Sequence, residues 1–272
     1  MKAIDIAGIL KLTQFNLLIG KKTIIGWAVA IFCIMFMYMI LFPSVQDIAN
    51  VKMDAMPKEM LQFFGLEKMS DMSDFTLYYG SIFSLVSVAL AIFSATFSAG
   101  LITKEESTKS IEFLNSLAVS RSEIYISKYI TAFVSVILIM FGAVCATLVC
   151  GFINGGSTFS PVNIITSAKI SAFVPLLFGG FALLCAGINP KIATGSAVSS
   201  IVLVSYVLGY LGQLLGDKGN FLHYFSPFIT LNVDNALNMG KDVMISTAVY
   251  LLLYIVAVII GCKAYSKRDF QI

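Results

Sequence analysis

Charge is scarce in this sequence. Only 12% of its residues are Asp, Glu, Lys or Arg, where a water-soluble domain carries about 25%. With 58% hydrophobic residues and a mean hydropathy of +0.90, a soluble globular protein is excluded. Histidine is nearly missing: His223 stands alone, with no partners for a metal site in the sequence around it. The five cysteines, Cys33, Cys145, Cys150, Cys185 and Cys262, fall inside or at the ends of apolar runs, and no CxxC spacing occurs. They read as small packing residues, not as a disulfide framework. GxxxxGK[ST], HExxH and GxSxG are all absent, so no nucleotide loop or hydrolase motif is visible. No apolar run holds a charge near its middle. Ion-coupled carriers often place an ionisable group there, so this absence argues against self-powered transport. There is also no repeat of carbonyl-presenting glycines of the kind that lines an ion filter. A cleaved signal peptide is not expected, because the first apolar run begins only at Ile24 and continues too far.

What is present is a set of long apolar runs, enough for one all-α polytopic membrane domain over 1–272. Spans are expected at about Ile24–Phe42, Leu77–Ile102, Tyr129–Ile153, Ile170–Ile188, Ile192–Gly216 and Val243–Cys262. Pro43 should stop the first. Ser87, Ala91, Ser94 and Ser98 form a small-residue stripe on the second span, and Ser205, Gly209, Gly212 and Gly216 another on the fifth. Such stripes let helices approach closely in lipid. They are also the candidates for a substrate path, as Ser87, Ser94, Ser205, Gly209 and Gln213. Gln213 either lines a cavity or bonds across helices. Residues 1–22 carry Ile6, Ile9, Leu10, Leu17 and Leu18 on one side of a helix, which predicts an interfacial helix leading into the membrane at Lys21-Lys22.

Six spans put both termini on one side. Lys and Arg number twelve on that side and six on the other, by the counts before the first span, at 103–128, at Lys191 and at the C-terminus. Cationic residues accumulate on the cytoplasmic side. The termini, the 103–128 region and Lys191 are therefore expected in the cytoplasm. The connections 43–76 and 217–242 face outward. The first is either a cover over the outer mouth or a plain surface loop, with a short helix at Pro57–Phe64. The second has an aromatic centre, Phe221-Leu222-His223-Tyr224-Phe225-Ser226-Pro227-Phe228, suited to a short re-entrant or interface-lying piece.

The most informative stretch is the charged island TKEESTKSIEFLNSLAVSRSEIYISK, Thr103–Lys128. It holds Lys104, Lys109, Arg121 and Lys128 against Glu105, Glu106, Glu112 and Glu123, so it lies in water. Ile111, Leu114 and Leu117 recur on one helical face. Ser120 followed by Glu123 has the spacing of a capping box. The pattern predicts a short amphipathic helix, a break near Ala118–Ser120, and a new helix that becomes the third span. The short helix either docks on a partner outside the bilayer or rests on the lipid surface.

Residues Glu105–Arg121 resemble the cytoplasmic signature of ABC-2 type transport permeases, roughly E-E-x-x-K-[ST]-x-E-F-L-x-x-x-P-V-S-R with a lysine further on. Glu105, Lys109, Ser110, Glu112, Phe113, Leu114, Val119, Ser120, Arg121 and Lys128 match, and Ala118 stands where a proline is usual. Phe225-Ser226-Pro227-Phe228 and Lys267-Arg268-Asp269 are similar to segments found before and after the last helix in that family. The resemblance implies a permease subunit, paired with a second copy or a paralogue and with two cytoplasmic ATPase subunits. ATP and magnesium would bind on those ATPases, not on this chain. It makes 1–22 an elbow helix and the island a coupling region. Glu105, Lys109, Glu112 and Arg121 would supply charged contacts, and Phe113, Leu114 and Leu117 the buried part of the joint. Membrane lipids, and no nucleic acid, are the remaining partners. The implied setting is the bacterial cell membrane. The inner faces of serine, glycine and alanine, with 12 methionines and 22 phenylalanines in the chain, suit a hydrophobic or amphipathic cargo such as a peptide toxin or peptide antibiotic. A secondary carrier, a sodium exporter, a membrane-embedded enzyme and a sensor or assembly protein are the alternatives.

Overall fold

The computed structural model describes residues 5–52, 73–108, 119–216, 220–223, 225–238 and 241–268. The described residues are helical apart from short connections: α1 Ile6–Ile40, α2 Phe42–Lys52, α3 Phe75–Ser107, α4 Arg121–Asn154, α5 Pro161–Ser171, α6 Phe173–Ile188, α7 Gly195–Leu214, α8 Asn220–His223, α9 Pro227–Thr230, α10 Val233–Asn238 and α11 Lys241–Lys267. Among the described residues six stretches are long and apolar enough to cross a membrane, with α5 and α6 counting together as one. The chain is a multi-pass membrane protein. In hydrocarbon every backbone N–H and C=O needs an internal partner, which is why helices carry these runs.

The six spans fall where the apolar runs predict, with differences at the edges. At 35 residues, α1 is roughly 52 Å long and exceeds the ~30 Å hydrocarbon core. The expected elbow (1–22) and first span (24–42) are one unbroken helix from Ile6. No proline interrupts the run, and Gly20 gives room for the Phe97 ring of α3. Pro43 falls in the first turn of α2 and separates it from α1. The fourth span begins earlier than expected, at Pro161, so Lys169 lies within helix α5 with its side chain exposed. Its long stem can carry the ammonium toward water. The hinge at Ala172 has a direct cause. Pro175 has no N–H and its ring crowds the carbonyl four residues earlier, that of Ser171, where α5 ends.

Packing follows residue size. α3 lies centrally, against α6, α7 and α4, and α1 lies along α4. All four residues of the stripe Ser87, Ala91, Ser94 and Ser98 are buried. Opposite them, a Cβ on Gly179 would meet Ser94 and Ser98, so glycine and serine set the α3–α6 distance. One apolar cluster joins α1, α3, α4 and α5 around Met35, Met39, Phe75 and Phe83; a second joins α3, α4, α6, α7 and α11 around Tyr125, Val202 and Tyr265. At one end, Asp74 caps α3 by accepting from Thr76 N and Leu77 N at 2.8 and 3.1 Å. There Phe75 N donates to Thr158 Oγ1 of the connection between α4 and α5. At the other end lie the starts of α1, α4 and α7 and the ends of α3, α6 and α11. This second end carries the paired charges Glu105–Lys128 and Glu106–Arg268. Both described ends of the chain, Asp5 and Arg268, sit here, as an even number of spans requires.

Candidate functional site

The charged end is built from the two helices that flank residues 109–118. The α3 helix delivers Lys104, Glu105 and Glu106 in its last turns, and α4 begins at Arg121. Ser120 caps α4 in extended conformation: its Oγ accepts from Glu123 N at 3.3 Å, and Glu123 Oε2 accepts from Ser120 N at 2.7 Å. The capping box read from sequence is present. The other oxygen of Glu123 accepts from Asp5 N at 2.8 Å, so this buried carboxylate holds the start of α1 against the start of α4. Thr13 continues the seam, donating to Ser127 O at 3.4 Å.

One turn further, the Lys128 side chain is fully buried. Its ammonium meets Glu105 at 2.5 Å and donates to Leu101 O at 2.6 Å. The pair crosses from α3 to α4 and links the two ends of the 109–118 segment. A buried cation persists only when paired and hydrogen-bonded.

Arg268 closes the cluster from the far end of the chain. It pairs with Glu106 of α3 and donates from Nη1 to Ala186 O and Gly187 O at 2.9 and 3.3 Å, both near the end of α6. Those carbonyls are at the negative end of the α6 dipole, where a cation is favoured. Arg121 Nη1 donates in turn to Arg268 O at 2.7 Å and lies 3.5 Å from Ser266 O, while Ser122 and Ser266 hydroxyls are 3.0 Å apart. Burial lowers the Arg268 pKa from its ordinary value, but guanidinium keeps its charge. The ends of α3, α6 and α11 and the start of α4 are thus joined through two arginines.

Of the expected coupling residues, Glu105 and Arg121 are placed here, each engaged within the chain. Lys109, Glu112, Phe113, Leu114 and Leu117, and the coupling helix they would form, lie outside the described residues. So does the Pro57–Phe64 helix. The expected path residues are not brought together. Ser87 donates to Ser84 O within α3, and Ser94 sits at the α3–α6 crossing. Ser205 donates to Phe225 O at 2.8 Å, and Gly209 packs under Ser226 and Ile229. Gln213 is exposed on α7. Four residues of this cluster missed as site members had visible signals: Glu123 in the capping box, Glu106 and Lys128 in the signature, and Arg268 in the basic finish. The long-range partners of Glu123 and Arg268, Asp5 and Ala186, had none.

Among the described residues no group of His, Cys, Asp and Glu could hold a metal ion. Six apolar helices with a charged, cross-braced end define a multi-pass membrane protein. Over residues 15–265 the chain matches the family described as multidrug efflux system permease Rv1217c, C-terminal domain. It belongs to that family, and so to the ABC-2 type transport permeases. Members are non-catalytic membrane subunits of ATP-binding-cassette exporters and work with a separate ATPase. No curated protein matches the chain.

Proposed function

We propose that this chain is the permease subunit of an ATP-driven exporter, with both termini and residues 103–128 in the cytoplasm, and that it moves a hydrophobic or amphipathic cargo outward. The observation that carries this reading is the family match over almost the whole chain, with the braced charged end flanking residues 109–118. Phe113, Leu114 and Leu117 then form the apolar joint with a cytoplasmic ATPase subunit, and Lys109 and Glu112 its charged rim. Glu105 and Arg121 support the joint from behind by holding α3, α4 and α11 together. Two ATPase subunits bind ATP and magnesium, and a second permease copy or paralogue completes the path. The weakly covered outer faces of α1, α7 and α11 suit that partner and lipid: Leu18, Val207 and Leu252 are all exposed.

For the cargo, amphipathic peptides of the toxin or antibiotic type are one reading. The family description, a multidrug efflux permease, favours lipophilic drugs as a second. Both suit a chain whose described spans pack through serine, glycine and large apolar side chains. The test is ATPase stimulation of the reconstituted complex by amphipathic peptides, lipophilic drugs, lipids and sodium. Stimulation by peptides or drugs is the expected result. A response to sodium alone defeats the hydrophobic-cargo reading, and transport by the chain without any nucleotide-binding partner defeats the permease reading itself.

A further inference from the structure

Two of the spans leave a gap between them. α7 packs on α3, and α11 packs on α6 and α4. Between α7 and α11, bounded by α6, runs an open groove of about 470 Å³. Small-molecule sites have volumes of roughly 300–1,000 Å³, so the groove is large enough for one. Its α11 wall runs from Tyr250 to Ile260, about 15 Å along a helix. Ile201 and Ser205 of α7 stand across from it, and Phe181 belongs to the α6 wall.

Depth and charge narrow what can enter. Tyr254 is the midpoint of α11 (Lys241–Lys267), so the groove opens at hydrocarbon depth. None of its lining residues is charged. A cation or anion seated here would lack a counter-charge in a medium where charge is costly. The hydroxyls narrow the choice further. Ser205 Oγ donates to Phe225 O at 2.8 Å, and the Tyr250 hydroxyl is 3.3 Å from Thr230 Oγ1. Tyr254 differs from both. Its ring lies against α6, where a Cβ on Gly180 would stand 2.6 Å from it, and it meets the Tyr129 ring edge-on with centroids 5.8 Å apart. Among the described residues its hydroxyl has no hydrogen-bond partner. A donor without an acceptor in hydrocarbon is costly, and an acyl chain brings no acceptor.

We propose that this groove binds an uncharged lipophilic molecule that enters sideways from the bilayer, with the Tyr254 hydroxyl donating to a carbonyl or ether oxygen of that molecule. It rests on the hydrophobic-cargo reading above and narrows it to neutral molecules. Gly180 and Tyr129 hold the Tyr254 ring, so the donor is in place before the ligand arrives and little freedom is lost on binding.

The experiment uses the full chain in phosphatidylcholine nanodiscs, without ATPase, and 4-octylbenzophenone as probe. The probe is neutral, carries one carbonyl, and on irradiation inserts into nearby C–H bonds, so its adducts are mapped by mass spectrometry. Saturable labelling of residues 177–184 and 250–260 is expected. Heptadecan-9-one, with a carbonyl at its middle, should displace the probe, and heptadecane should not. Tyr254→Phe should weaken probe affinity by roughly three- to tenfold, the worth of one hydrogen bond. Ala257→Phe, which fills the groove, should abolish saturable labelling; Tyr254→Phe keeps the test decisive if that variant does not fold. Equal displacement by heptadecane, unchanged affinity in Tyr254→Phe, or labelling that never saturates overturns the proposal and leaves the groove to acyl chains. Displacement by hexadecyltrimethylammonium as strong as by the ketone overturns it by admitting charge. Disulfide crosslinking of two copies through Val256→Cys, in a background without the native cysteines, overturns it by giving the groove to a second copy. These outcomes leave the permease reading standing, since no ATPase is present. ATPase stimulation by sodium alone defeats the cargo reading whatever the groove binds.

Discussion

Breaking the Glu105–Lys128 pair has a calculable cost. The lysine side chain is fully buried and the glutamate side chain is 18% exposed. In Glu105→Gln the ammonium loses its counter-charge and keeps Leu101 O, at 2.6 Å, as an acceptor. Removing one partner of a buried pair costs about 3–5 kcal/mol. Because Glu105 retains some contact with water, the lower end applies, about 3 kcal/mol. For a chain this large each kcal/mol is worth roughly 2–4 °C, so thermal unfolding in detergent should fall by about 6–12 °C. In Lys128→Met the group that loses its lysine is Glu105, which can turn its charge toward solvent, so a loss of about 1 kcal/mol is expected. The double variant leaves no buried charge at this pair and should lie within about 1 kcal/mol of the native chain. The cycle therefore closes with a coupling energy of roughly 3 kcal/mol. If the single losses add in the double variant, or Glu105→Gln unfolds at the native temperature, the brace is refuted. The double variant should also keep its ATPase, since the pair is spent inside the chain. Loss of binding there would return Glu105 to the interface.

Further outcomes test the rest of the charged end. Glu123→Ala should cost about 1–2 kcal/mol as a lost cap and lost Asp5 anchor, with faster hydrogen exchange at the first amides of α1 as the specific readout. Leu114→Asp should detach the ATPase in pull-downs while the unfolding temperature holds, and Ala118→Pro should bind as the native chain does. For topology, in a background without the native cysteines, Lys267→Cys should react with an impermeant thiol reagent only after permeabilisation and Asn220→Cys in intact cells. The reverse pattern would remove the ATPase argument.

Much of this molecule was legible as a pattern along the chain, and the reason is the solvent. In hydrocarbon the choice of structure is narrow, so apolar run length alone located six spans. Local chemistry was legible too: Ser120 and Glu123 are three residues apart, and the capping box forms between them. What could not be read was anything set by which helix stands beside which. Glu123 to Asp5 spans 118 residues, and Arg268 to Ala186 spans 82. The serine stripes show the same limit. Their spacing marked a close-packing face, and Ser94 does meet Gly179. Spacing could not tell which residues pack within one chain and which line a path completed by a second.

The division of labour among the charged residues follows from that geometry. A segment that transmits force needs an outer face to receive it and fixed ends to pass it on. Glu105 and Lys128 tie the last turns of α3 to the first turns of α4, on either side of 109–118. Arg121 then reaches the backbone of Arg268, and Arg268 reaches α3 and the end of α6. Pulling these helix ends apart therefore means breaking the buried Lys128 pair and the partly exposed Arg268 pair. Exposed surface ion pairs contribute little because water competes for them. Buried ones resist separation, which is what a mechanical joint requires. The resemblance marked these positions by residue type. The structure supplies a physical reason for Glu105, Lys128 and Arg121 that holds whether or not any of them touches an ATPase.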